Sequence, residues 1–258
     1  MSAVVWVPTD AAALSVGAEE VARTILQEAK NRGLDLDLRR NGSRGLLWLE
    51  PLVEVETAAG RHAYGPISTA DVPGLFAADF LQAGPHPRYL GLTEDIAYLR
   101  RQQRLTFARV GITEPLSLAD YLAHGGYRGL QSALAMSPAR IVQAVTEAGL
   151  RGRGGAAFPT GVKWQTVLDA PAGQKYVTCN ADEGDSGTFA DRMLMEGDPF
   201  LLIEGMTIAG IAVGATRGYI YLRVEYPHAH RALNAAIAVA AAAGYLGKNV
   251  LGSGKSFE

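Results

Sequence analysis

Between Gly149 and Gly161 the chain places five glycines in thirteen residues, GLRGRGGAAFPTG, with Arg151 and Arg153 interleaved and Lys163 close behind. Glycine reaches positive φ without steric cost and lets backbone N–H groups come close to a bound group, while the flanking cations neutralise negative charge. A loop that holds a phosphate is what this composition suits. The pattern is not a Walker loop, since Gly-Lys-Ser/Thr is missing. A helix rather than a strand is expected before it, which argues against a standard dinucleotide fold. Phe158-Pro159 sets an aromatic ring beside a rigid proline inside the loop, a stacking surface for a planar ring rather than a flexible turn.

The rest of the chain must supply the frame for this loop. With 258 residues, 48% hydrophobic and 19% charged, it can bury a sizeable core as one large domain or two ordinary ones. A net charge of −2 without a basic run gives no reason to expect a nucleic-acid partner. The start, MSAVVWVPTDAAA, lacks a basic segment followed by an apolar one, so no secretory signal is expected and the reading is cytoplasmic. The apolar runs Leu201 to Val213 and Ala232 to Leu246 carry Glu204 and Asn234 and fall short of the ~20 residues of a bilayer span. They read as buried helices, and membrane insertion is not expected. A single cysteine, Cys179, excludes internal disulfides and leaves any iron–sulfur or zinc site without enough ligands.

Periodicity divides the chain. VVWV at 4–7 reads as a strand, and Ala18 to Asn31 carries Val21, Ile25, Leu26 and Ala29 at helical spacing with Gly33 as the stop. Leu34 to Leu38, Leu46 to Leu49 and Leu52 to Thr57 read as strands, and Asp71 is expected to cap a helix with Pro73 in its first turn, running to about Leu81. Gly84-Pro85-His86-Pro87 breaks the pattern. The expected division is 1–84 as a small domain, 85–114 as linker and short helices, and 115–258 as a second domain. In the latter, Ser117 and Ser137-Pro138 start helices, Tyr176 to Cys179 and Gly218 to Arg223 are strands, and Pro199 to Val213 and Pro227 to Gly244 are helices. The last residues, GKNVLGSGKSFE, read as a glycine-rich turn entering a strand, so the chain is expected to be a fragment.

A second polar concentration follows the first predicted strand of this region. Asn180, Asp182, Glu183 and Asp185 lie at a strand's end, where open α/β sheets gather ligands. Carboxylates accept hydrogen bonds from sugar hydroxyls, and the amide can pair with a ring edge. A hard-metal site and a loop that merely caps the next helix are the competing readings. Arg223 and Glu225 in YLRVEYP read on spacing as a surface pair, Cys179 as a small buried hydrophobe, and the scattered histidines as no metal site.

GLRGRGGAAFPTGVKW, CNADEGDSGTFADR and YIYLRVEYP, in this order, resemble the flavoprotein subunit of respiratory complex I and its soluble relatives, the diaphorases of NAD-reducing hydrogenases and of molybdenum- or tungsten-containing formate dehydrogenases. LLWLEPLVEVETAAGRHAYGPIS resembles the thioredoxin-like ferredoxin domain fused in front of some soluble members, here without cluster cysteines and therefore a docking module. The resemblance implies an α/β, non-Rossmann FMN/NADH-binding domain behind a thioredoxin-like one. It implies that Gly152, Arg153, Gly154, Gly155 and Lys163 surround the FMN phosphate and ribityl chain, and that Asn180 and Asp182 contact the flavin. Phe158, Glu183 and Asp185 would face NADH, and Tyr221 and Glu225 would border the flavin. Ala157 and Val224 stand where the family usually has glycine, and Asp185 where it often has glutamate.

The reaction so implied is hydride transfer between NAD(H) and FMN, with single electrons passing to or from iron–sulfur clusters, and no residue is expected as general acid or base. The N-terminal domain favours the formate dehydrogenase type, with an iron–sulfur subunit and a molybdenum- or tungsten-containing catalytic subunit as partners. A hydrogenase diaphorase or a complex I flavoprotein subunit is the alternative. The family's second flavin loop, ubiquitin-like domain and four-cysteine 4Fe-4S domain are not in this sequence. Readings of other classes are a docking scaffold without flavin and a magnesium-dependent phosphate-transfer enzyme.

Overall fold

The computed structural model describes residues 2–258, and Met1 lies outside them. The chain forms two compact units, Met1–Ser117 with Met193–Asp198, and Leu118–Arg192 with Pro199–Glu258.

The first unit is built on a sheet of order β2-β1-β3-β4-β5, from β1 (Ala3–Pro8), β2 (Leu36–Asn41), β3 (Val53–Thr57), β4 (Gly60–Tyr64) and β5 (Tyr89–Leu92). β1 and β2 are parallel and the remaining pairs antiparallel. Parallel neighbours need a crossover, which here contains α1 (Ala11–Ser15), capped by the Asp10 carboxylate, and α2 (Ala18–Asn31). α2 turns Val21, Ala22, Ile25 and Ala29 onto the sheet, whereas Leu26 faces out at 45% exposure. With α3 (Val72–Ala77) these residues cover Val5, Val7, Val53, Val55 and Tyr64. Trp6 is also buried, under the guanidinium of Arg61 and with its indole N–H donating to Glu56 at 2.7 Å. Being buried on both faces explains why VVWV reads as an unbroken apolar run. The unit is α/β, as expected, and β5 is its edge strand.

Several local expectations change. Leu46 to Leu49 is no strand: Leu47–Leu49 is a 3₁₀ turn in which Leu46 is buried and Leu49 partly so, three residues apart, while Leu47 and Trp48 face out. Asp71 precedes α3, but its carboxylate accepts from Ser68 rather than from the helix, which ends at Ala77. Residues 85–114, expected as linker and short helices, supply a 3₁₀ turn (Thr93–Asp95), α4 (Ala97–Arg100) and also the strand β5.

The end of β2, β3 and the segment between them hold a buried polar cluster. The Glu54 carboxylate is fully buried and receives Arg44 at 2.9 Å and Asn41 at 3.0 Å. Glu50 accepts from Ser43 at 2.6 Å and from the Leu52 N–H at 2.9 Å. Loss of hydration pushes its carboxyl up to about 7, with Asp10 and Glu54 adding to the rise.

The second unit carries α5 (Leu118–Ala123), α6 (Arg128–Leu134), α7 (Pro138–Glu147), α8 (Thr160–Asp169), β6 (Tyr176–Ala181), the first residues of α9 (Ala190–Gly197), α10 (Pro199–Val213), β7 (Arg217–Leu222) and α11 (Pro227–Ala242). β6 and β7 pair in parallel, Asn180 opposite Tyr221. α10 links them as the central helix of the core, packed by α6, α7, α8 and α11. It is apolar all round except for one carboxylate, as a buried helix should be. That carboxylate, Glu204, accepts from Tyr121 Oη at 2.5 Å and from the N–H groups of Tyr127 and Leu130 at 2.8 and 2.9 Å. Tyr127 precedes α6 in left-handed conformation without a side-chain cap, so the cap comes from α10 instead. A Cβ on Gly129 would stand 3.0 Å from the Glu204 Oε1, which makes glycine the fitting residue there. Among the described residues no helix is long and apolar enough to cross a membrane.

Replacing Glu204 by leucine leaves two buried N–H donors and one hydroxyl unpaired, each at about 1–3 kcal/mol. Urea unfolding is expected to show a loss of about 3 kcal/mol or more, and a loss below about 1 kcal/mol would refute this role. Glu50 acts in the opposite sense. Its folded pKa lies above its unfolded one, so its contribution is full below pH ~4.5 and is lost as pH rises through ~7. Glu50→Gln should therefore gain stability over the parent protein by up to about 3 kcal/mol between pH 5 and pH 8. Parallel stability–pH curves for the two proteins would contradict it.

Candidate functional site

The glycine-rich loop joins α7 to α8, so a helix does precede it. Its base is closed by a bridge between Arg151 and Pro159, with Gly152 N–H donating to Phe158 O and Thr160 N–H to Leu150 O, both at 2.9 Å. Arg151 is spent within the loop, donating to the Ala157 carbonyl at 3.0 Å. Arg153 and Lys163 are exposed and make no ion pair with any described residue. Lys163 Nζ stands 5.7 Å from the ring centre of Phe158, which is 46% exposed.

The glycines divide by what surrounds them. A side chain at Gly161 would collide with Thr146, so that glycine lets α8 pack on α7. At Gly154 and Gly155 a Cβ would meet nothing within 4 Å, although Gly155 has φ +101°. Packing therefore does not explain Gly154, and the space above both is open to an incoming group. The first turn of α8 has no side-chain cap and so offers N–H groups at its positive end. Open backbone, helix N-terminus and two unpaired cations together suit a phosphate. Ala157 has φ +51°, a conformation glycine adopts more readily, which is consistent with the departure noted there.

A second cluster forms at the parallel strand ends. On β6 and β7 the side chains of Val177, Cys179 and Ile220 pack on the core, and burial holds the Cys179 thiol above its ordinary pKa. Asn180 and Tyr221 lie on the other face, Tyr221 at 66% exposure. Asn180 Oδ1 accepts from Asp182 N–H at 3.2 Å. Glu183 is the fixed point of the acidic loop: at φ +46°, its carboxylate accepts from the N–H groups of Asp191 and Arg192 at 2.8 and 3.0 Å and from Tyr226 Oη at 3.1 Å. Arg223 donates to the Glu183 carbonyl at 2.9 Å and pairs with Glu225 at 3.1 Å. That pairing lowers the Glu225 carboxyl from its ordinary value. Glu183 thus caps α9, whereas the carboxylates of Asp182 and Asp185 have no hydrogen-bond or ion-pair partner among the described residues.

The predicted residues fall into two groups within one unit: Gly152, Arg153, Gly154, Gly155, Phe158 and Lys163 on the loop, and Asn180, Asp182, Glu183, Asp185, Tyr221 and Glu225 at the strand ends. Tyr226 and Arg192 were not singled out by sequence. Each acts on Glu183 through the fold, and neither belongs to a spacing pattern that would reveal it.

Residues 145–255 match the family model described as the Nuo51 FMN-binding domain of Complex1_51K. The HndC subunit of the NADP-reducing hydrogenase of Solidesulfovibrio fructosivorans is 50% identical over 159 residues, 62% of this chain and 32% of that protein. The F subunit of NADH-quinone oxidoreductase in Aquifex aeolicus (strain VF5) is 51% identical over 142 residues, 55% of this chain and 33% of that protein. A crystal structure of NAD+-reducing nickel–iron hydrogenase in the H2-reduced state has 25% identity and a TM-score of 0.44, covering 93% of this chain and 40% of that one. The chain spans about one third of the length of these two curated relatives. Residues 145–255 are thus similar to the FMN-binding domain of the complex I 51K type.

Proposed function

We propose that this chain provides one wall of the NAD(H)- and FMN-binding site of a diaphorase subunit. FMN, when bound, supplies hydride exchange with nicotinamide and single-electron passage to or from iron–sulfur clusters. The open backbone at Gly154 and Gly155 beside Arg153 and Lys163 is the observation that carries the reading, because packing gives no other account of it. Gly152, Arg153, Gly154, Gly155 and Lys163 hold the phosphate and ribityl chain, and Phe158 offers its exposed ring for stacking. Asn180, Asp182 and Tyr221 border the flavin, and Asp185 and Glu225 accept from nucleotide hydroxyls. Glu183 contributes chiefly by holding the acidic loop to α9, with its remaining acceptor capacity toward NADH. No side chain is assigned as acid or base.

The relatives favour a hydrogenase or quinone-reductase assembly over formate oxidation. The formate dehydrogenase reading, with its molybdenum- or tungsten-containing subunit, rests on the thioredoxin-like domain alone. In either assembly we place the chain in the cytoplasm next to an iron–sulfur subunit, and residues 1–84 serve as a docking domain without a cluster. A 4Fe-4S cluster belongs to other parts of the assembly, since this chain has one cysteine.

Purification with its partner subunits should give a yellow protein that oxidises NADH, and a colourless, inactive complex would sink the proposal. In that complex Lys163→Ala is expected to weaken FMN retention about tenfold by loss of one charge-assisted contact. Flavin content unchanged after exhaustive dialysis would contradict it. The structural role of Glu183 is separable. Glu183→Ala should speed amide hydrogen exchange at Asp191 and Arg192 and cost about 1 kcal/mol, and unaltered protection at both amides would disprove the cap.

A further inference from the structure

Tyr226 stands at the start of α11, in the turn that follows β7, and its ring is buried at 6% exposure. Its hydroxyl donates to Glu183 Oε2 at 3.1 Å. The ring also carries two guanidinium groups, with Arg223 Cζ 5.3 Å and Arg192 Cζ 5.7 Å from its centre. Arg223, seated as a cation on an aromatic ring, donates from Nη1 to the Glu183 carbonyl at 2.9 Å. One residue therefore acts on both ends of Glu183, on the carboxylate directly and on the carbonyl through Arg223.

The cap on α9 does not need this hydroxyl. A carboxylate offers about four acceptor sites, and its bonds from the Asp191 and Arg192 amides already serve the helix start. What the hydroxyl adds is a tie from Glu183 to a different element, the turn after β7. Glu183 has φ +46°, and a left-handed backbone bearing a β-carbon persists when its surroundings over-determine it. The two sides of that residue are held unequally. Before it, the Asp182 N–H is fixed on Asn180 Oδ1 at 3.2 Å, at the end of β6. After it, the Asp185 carbonyl accepts from Thr188 N–H at 3.2 Å, a contact within the loop that ties it to no strand or helix. The place of Asp185 thus depends on Glu183 and on what holds Glu183.

We propose that Tyr226 is a positioning residue for the dinucleotide: through Glu183 its hydroxyl sets where Asp185 meets the nucleotide hydroxyls of NAD(H), while Asp182, on the flavin side, is held independently of it. The inference rests on the proposed role of Asp185 toward those hydroxyls.

In the complex with its partner subunits, Tyr226→Phe keeps the ring and removes one hydrogen bond to a carboxylate. It should raise the NADH KM and the NAD+ dissociation constant about fivefold, with kcat, flavin content and thermal melt matching the parent. Amide exchange should quicken at Gly184 and Asp185 and stay slow at Asp191 and Arg192. Asp185→Asn alone should weaken NAD+ binding, and adding Tyr226→Phe to it should cost less than about twofold more, because residues acting through one contact do not add. An unchanged NAD+ dissociation constant, the same penalty in both backgrounds, or a lowered melt with loss of flavin would each overturn the positioning role and leave the diaphorase reading in place. A parent complex without flavin or NADH oxidation would remove that reading and this role with it.

Discussion

Parallel pairing of β6 with β7 is the constraint on which the candidate site depends. Two parallel neighbours cannot be joined by a tight turn, so the chain must cross back over the sheet, and α10 lies within that crossing. Since both strands run the same way, the loops that follow them leave from one end. The acidic loop after Asn180 and the Arg223–Tyr226 turn after Leu222 therefore meet, and Arg223 reaches the Glu183 carbonyl. Antiparallel strands would have sent these loops to opposite ends and divided the carboxylates between them.

That crossing brings a carboxylate into the core. A polar group out of water is tolerable only if its oxygens are occupied. Glu204 satisfies this by serving as cap to α6, a helix that begins without a side chain of its own for the purpose. One group thus answers two needs, its own hydrogen bonding and that of the helix start. Glu54 is handled differently in the first unit, with Arg44 and Asn41 as partners. Glu50 has only neutral donors and two carboxylates nearby, which is why burial raises its pKa so far.

How much of this was legible in the sequence follows the same physics. α2 and α10 were readable to the residue because glycine, proline and the end of an apolar period coincide at their limits. The loop after Gly149 was readable because glycine density and alternating arginines have few other uses. Leu46 to Leu49 misled because four large apolar residues carry no period, and only the core below them separates a 3₁₀ turn from a strand. β4 and β5 escaped notice because Arg61, His62 and Gly91 interrupt any apolar alternation, and their pairing is set by β3 rather than by local preference. The capping roles of Glu204 and Glu183 were beyond reach for another reason. Their partners lie far along the chain or across a loop, and a lone carboxylate in an apolar run looks the same whether it caps a helix, pairs with arginine or faces a ligand.

The acidic loop shows how one motif divides its labour. Three carboxylates in four residues repel one another, and a loop carrying them free would not hold one shape. Committing Glu183 to the positive end of α9 and to Tyr226 removes the middle charge from that repulsion and ties down a left-handed backbone that a β-carbon disfavours. Asp182 and Asp185 on either side are then held in position without partners of their own. A site that must receive hydroxyl donors needs acceptors that are both fixed and unoccupied, and a single sacrificed carboxylate supplies the fixing for the other two.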